Sequence, residues 1–283
     1  MFSRLFIICF ISSMLSASVS YASGILSKEK ISFEKAQKAL EPHKAIYDIN
    51  LIATRSGSPI INISGKMFYE WKPSCEGWIT NHRFNLFYEY ADGPGLTITS
   101  DFSTYESFDG EEFTFLAQRK RNDELYQEFR GAADRNDGVR KAIFSIPEDV
   151  SFDLSENTNF PMMHTVKMIQ HMLNNDKFFN AIVFDGSDDE GPVEINAFIG
   201  KETKPEKELL KNTAIDEDLL KPKAKNIRMA VFPVESENAA SDYEMSIVFH
   251  SNGVISDMEV DYDDFSVSQQ LIALEKIAPI SCN

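Results

Sequence analysis

From about residue 45 onward, apolar and polar positions alternate with a period of two through most of the chain. Segments at 45–54, 60–72, 77–90, 95–106, 112–121, 124–134 and 139–147 each predict a strand with one buried face. Turn signals rich in Gly, Pro, Asp and Asn separate them, among them "SGSP", "ADGPG", "FDGEE" and "DRNDG". Connections this short make consecutive strands antiparallel neighbours. A second series follows at 178–184, 191–200, 227–235, 241–250, 253–263 and 266–277, where "HSNGVI" carries an Asn-Gly hairpin signal. No strand–helix–strand rhythm appears, which disfavours a doubly wound sheet or a (β/α) barrel.

One segment follows another period. In "NFPMMHTVKMIQHMLNND", starting at Asn159, the residues Met163, Val166, Ile169, Gln170 and Leu173 recur at helical spacing. Asn159 is the expected N-cap and Pro161 falls in the first turn. Met162, Met168 and Met172 lie on other faces, so the helix is apolar around much of its girth and belongs against a sheet or inside a curved one. The residues alone favour a core helix. The sharper reading is a plug in a cavity that could take an apolar ligand, with Phe160, Met163, Val166, Ile169 and Leu173 as the candidate lining. Residues 24–43 carry helical potential up to Pro42, as an arm before the first strand. The stretch 201–226, dense in Lys and Glu, reads as a charged surface insertion within one continuous fold, with short helical turns around Leu209–Leu210 and Leu219–Leu220.

The first residues change where this chain is expected to work. Arg4, an apolar stretch from Leu5 to Leu15 and the small-x-small triplet Ser20-Tyr21-Ala22 predict a secretory signal over 1–22, cleaved near Ala22. Its apolar core is too short to span a bilayer, for which about 20 residues are needed, so the processed protein is not expected to cross a membrane. Export would leave Cys75 and Cys282 in a compartment where disulfides persist, and the count points to one bridge between them. Metal binding by the two thiols and a free nucleophilic Cys75 are the alternatives. The bridge would close a loop of about 208 residues, worth roughly 5 kcal/mol in the chain-entropy model. With a formal net charge of −16, the chain repels nucleic acid and anionic headgroups, which excludes neither enzymes nor binding proteins but disfavours a nucleic-acid partner.

Candidate chemistry is sparse. "DGSDDEG" at 185–191 has oxygen-bearing residues at alternating positions, but Glu190 and Asn196 occupy the places where a calcium loop needs Gly and Glu. His164 and His171 share a helical face two turns apart, too far to chelate one metal by themselves. No GxSxG, GxGxxG, P-loop or HExxH is present. The residues therefore give no reason to expect a catalytic centre, a metal or a cofactor.

Taken in order, "HKAIYDINL", "ISGKMFYEWKPSCEGWITNHRF", "FPMMHTVKMIQHM", "FFNAIVFDGSDDEG" and a terminal cysteine resemble the EipB-like family of periplasmic cell-envelope integrity proteins. The resemblance covers essentially the whole chain after the signal. It implies a single mainly β domain over 23–283: an antiparallel β-spiral, or open barrel of two curved sheets, with a helix in its lumen, similar in shape to periplasmic lipoprotein carriers. It places the family's disulfide on Cys75 and Cys282, in agreement with the count, and it favours the plug reading of the helix. The role it implies is non-enzymatic support of envelope integrity in the periplasm under stress. A hydrophobic or lipidated envelope component, or another periplasmic protein, would then bind the concave face of the spiral. A hydrolase or isomerase acting on an envelope polymer, with residues scattered over several strands, is the alternative; a purely structural envelope protein is a further one.

Overall fold

The alternating segments pair into one antiparallel sheet in the computed structural model, which describes residues 30–136, 139–234, 240–278 and 280–282. The expected signal at 1–22 lies outside the described residues. Fourteen strands follow one another: β1 (His43–Thr54), β2 (Ile60–Pro73), β3 (Gly77–Tyr90), β4 (Leu96–Ser107), β5 (Phe113–Arg121), β6 (Glu124–Asn136), β7 (Val139–Ile146), β8 (Ser151–Leu154), β9 (Phe178–Val183), β10 (Val193–Thr203), β11 (Ala224–Pro233), β12 (Tyr243–His250), β13 (Ile255–Asp261) and β14 (Phe265–Lys276). A short helix α1 (Phe33–Gln37) precedes them, and α2 (Pro161–Leu173) joins β8 to β9.

The strand order is β8-β7-β6-β5-β4-β3-β2-β1-β14-β13-β12-β11-β10-β9, every neighbour antiparallel. The two curved halves are thus continuous through the β1–β14 ladder, and the sheet stays open because its edges, β8 and β9, do not pair. The helix that joins them in sequence packs on the inner face, against Trp71 and Trp78 of one half and Phe179, Ile199 and Ile227 of the other. The mainly β open-barrel expectation holds in this form. One strand has no counterpart in the sequence reading: β8 is four residues, "SFDL", too short for alternation to register.

The pleat explains which residues face inward. In β1, Ala45, Tyr47 and Ile49 are buried; their partners in β2 and β14 include Tyr69, Met67, Leu271 and Gln269, which share that face. Register carries the same face into β3 as Trp78, Thr80, His82 and Phe84. Three clusters fill the inside. The largest gathers Met162, Val166, Met168, Ile169 and Met172 of α2 against Trp71 and Trp78 on one half of the sheet and Phe179, Ile199, Ile227 and Phe249 on the other. A second is aromatic: Phe113 stacks on Phe160 with centroids 4.7 Å apart, and Phe115, Phe144 and Phe184 close around them.

Two local expectations are corrected. The N-cap of α2 is Phe160, not Asn159, and no side chain of its own caps it. Asn159 is drawn into the edge of the sheet instead: its N–H donates to the Ile182 carbonyl at 2.8 Å, and its own carbonyl accepts from Phe184 N–H. The 201–226 stretch is more than a surface insertion. Most of its charged residues are exposed, but Lys225 is buried, Ile215, Leu219 and Leu220 are buried in a cluster with Tyr47, Met67, Leu271 and Leu274, and β11 begins inside it at Ala224. The Asn-Gly turn explains part of this burial. Gly253, at φ +90°, lets the chain turn between β12 and β13, and the buried Asn252 donates from Nδ2 to the Leu219 carbonyl at 2.9 Å.

Candidate functional site

Beneath the first turn of α2, the inner face leaves a cavity of about 530 Å³. Its wall is largely apolar, built from Met67, Phe84, Phe102, Met162, Met245, Phe249, Ile255, Met258 and Val260. These side chains arrive from five strands and one helix, and period-two alternation aims the strand residues at a common interior. The volume and lining are those of a small-molecule pocket, mainly hydrophobic with a few placed polar groups.

Two of the polar groups have no partner. Thr80 and Gln269 line the cavity and are more than nine-tenths buried, and neither Thr80 Oγ1 nor Gln269 Oε1 finds a hydrogen bond among the described residues. Leaving such groups dry costs about 1–3 kcal/mol each, so a ligand with complementary polar atoms would recover that energy. Tyr47 is satisfied, donating to the Ile255 carbonyl at 2.8 Å. His82 has its ring edge-on to Tyr69 at 4.6 Å and close to Phe84 and Phe102; this shielding pulls its pKa down to about 4, so the imidazole facing the cavity is neutral. At the rim, Asp185 accepts from Ser187 N–H at 2.9 Å, while burial pushes its carboxyl above the usual range. Burial likewise raises Tyr69 and Tyr243 and keeps both phenols protonated.

The roof of the cavity, α2, is tied at both ends by buried side chains from opposite halves of the sheet. Glu106 of β4 accepts the N–H groups of Met162 and Met163, each at 2.7 Å, and so does for the helix start what an N-cap side chain would do. Burial nevertheless pushes this carboxyl up to about 8, against the pull of the two donors and of Arg140. At the other end, Lys225 of β11 donates from Nζ to the Met172 carbonyl at 3.0 Å and to Asn175 Oδ1 at 3.1 Å. Neither residue stands out in the sequence. Glu106 is one of many acids, and Lys225 sits in the charged stretch.

The residues proposed from helical spacing occupy other places. Phe160 stacks on Phe113, Val166 and Ile169 are buried in the large cluster, Leu173 packs at its margin, and Met163 lies beside Gly110. None of the five lines the cavity, to which α2 contributes Pro161, Met162 and Thr165. The spacing picked the face that packs on the sheet, whereas the cavity meets the helix at one end. His164 and His171 both stack on Phe179, with centroids 5.4 and 4.4 Å away, and among the described residues no group of three or more His, Cys, Asp or Glu is placed to hold a metal.

Cys75 and Cys282 are joined, their Cα atoms 5.6 Å apart. Cys75 sits in the β2–β3 turn, where Ser74 Oγ accepts from Gly77 N–H at 3.0 Å, and the C-terminal tail crosses from β14 past Pro42 to meet it. Trp71 and Trp78 flank the turn and are buried; Phe68, which alternates with Met67 and Tyr69, faces outward and lines a groove with Ile46, Ala273 and Glu275. Among the described residues no helix is long and apolar enough to cross a membrane.

Comparison with known proteins places this geometry in a group. The model of the EipB-like family matches residues 34–278. The chain is 30% identical over 246 residues to the cell envelope integrity protein EipB of Brucella abortus (strain 2308), covering 83% of this chain and 84% of that protein. It is also similar to the crystal structure of a beta-barrel-like protein of the domain of unknown function DUF1849 from Brucella abortus, with a TM-score of 0.78 and 29% identity over 84% of this chain and 99% of that one.

Proposed function

The chain belongs to the EipB-like family, and on that premise we propose that it supports cell-envelope integrity from the periplasm by holding the apolar part of an envelope component inside the open barrel. The observation that carries this reading is the cavity under α2: about 530 Å³, walled by Met and Phe, with Thr80 and Gln269 buried and unpartnered beside it. An apolar chain would fill the volume and a polar head would meet those two residues. A lipidated partner protein would offer the same chemistry through its acyl chain. Reaction on a polymer is the less supported reading. His82 and Asp185 do share the cavity, but no hydrogen bond joins them, and the neutral imidazole sits among Tyr69, Phe84 and Phe102 without a carboxylate to orient it.

Native mass spectrometry of the protein purified gently from envelope extracts tests the proposal. The expected spectrum carries one small apolar molecule per chain, released by organic solvent. Protein that emerges bare, and stays bare after incubation with an envelope lipid extract, overturns it.

A further inference from the structure

The lining of the cavity also says which headgroups it can accept. Among the described residues no Lys or Arg lines the cavity. The charged side chain described there is the carboxylate of Asp185, and the imidazole of His82 is held neutral by its aromatic surroundings. Arg119, whose charge acts on Asp185 from outside the lining, is already engaged: it donates to Gln127 Oε1 at 2.7 Å and to the Ser187 carbonyl at 2.9 Å, with its guanidinium over the Phe129 ring. An anionic head brought into this space would lose its water, find no counter-charge and face Asp185. An uncharged head with a hydroxyl or amide would find what the wall lacks. Gln269 Oε1 needs a donor, and the Thr80 hydroxyl can give or take a hydrogen bond.

We infer that the cavity selects an uncharged amphiphile, an acyl chain whose polar end carries O–H or N–H groups, and discriminates against fatty acids and anionic phospholipid heads. This rests on the ligand-binding reading above and narrows it to one headgroup class. The overall acidity of the chain works in the same direction outside the cavity, since the field of a protein of net charge −16 repels anions before they reach it.

Displacement of the neutral fluorescent probe N-phenyl-1-naphthylamine by monolaurin and by laurate, at pH 8 and in moderate salt to screen the general field, tests the inference. Monolaurin should displace the probe at a concentration at least ten-fold below that needed for laurate. Asp185→Asn, which keeps an acceptor for Ser187 N–H, should narrow that gap. Laurate displacing as well as monolaurin, or better, overturns the headgroup assignment while leaving the apolar cavity intact. Failure of the probe and of both lipids to bind overturns the cavity reading itself, and the inference with it.

Discussion

Glu106 and Met162 lie 56 residues apart in the chain, yet the carboxyl group of one accepts the backbone N–H of the other at 2.7 Å. Through this contact the fourth strand holds the start of the helix that covers the cavity. Lys225 holds its end from the other half of the sheet, so the helix acts as a strut between the two halves of an unclosed sheet.

The strut should have a pH signature. Burial raises the Glu106 pKa from 4.5 to about 8 in the folded protein, so between those values the folded state holds a proton that the unfolded state has released. The group's contribution to stability is therefore full below about pH 4.5 and declines as pH rises toward 8. Glu106→Gln places an N–H₂ where a backbone N–H needs an acceptor and should cost about 1–3 kcal/mol. The stability difference between wild type and E106Q, from urea unfolding, should be largest near pH 5 and shrink toward pH 8. A difference that grows with pH would mean that the two donors and Arg140 outweigh burial.

The clasp between Cys75 and Cys282 should be complete and structural. Thiol titration of the denatured, unreduced chain from residue 23 onward should find neither cysteine free. Cys282→Ser should lower Tm by about 10–20 °C, following from roughly 5 kcal/mol for closing so long a loop and 2–4 °C per kcal/mol in a chain of this size. Amide exchange should speed up first in β14 beyond Leu274, where the tail departs. Unchanged melting and exchange would remove the clasp from the account.

Gly186 marks a tight point between the helix-side loops and the aromatic cluster. Its φ is +67°, and a Cβ there would meet the Phe115 ring at 2.4 Å. Gly186→Ala should destabilise by about 2–4 kcal/mol, combining left-handed strain with overpacking. Calorimetry checks the value; a loss below about 0.5 kcal/mol would show that Phe115 yields freely.

Much of this architecture is legible in the sequence because alternation is a local property. Of the aromatic residues around the β2–β3 turn that read as packing residues, Trp71 and Trp78 are buried and Phe68 is on the outer face, and the cysteine count pairs Cys75 with Cys282. The cavity was not legible for a physical reason. Thr80, Met162, Met258 and Gln269 become neighbours only when strands distant in the chain are brought together by register, and nothing local distinguishes them. Helical spacing likewise locates the packed face of α2, with Val166 and Ile169 at its centre, but not the end that opens on a void. Composition misled at Ile215, Leu219 and Leu220, whose burial is masked by the charges around them. Asn159 looked like a cap because caps are usually local; here the capping oxygens come from Glu106, across the sheet.

The central claim is that the space beneath α2 is a binding site, and filling it is the most direct test. Met258 points from β13 into the cavity beside Gln269, its partner in β14. Titration of the protein with N-phenyl-1-naphthylamine, followed by fluorescence, should show saturable binding at one site per chain. Met258→Trp, verified by circular dichroism and melting to be folded, should weaken that binding at least ten-fold. Binding that never saturates, or that persists undiminished in folded M258W, would contradict the account.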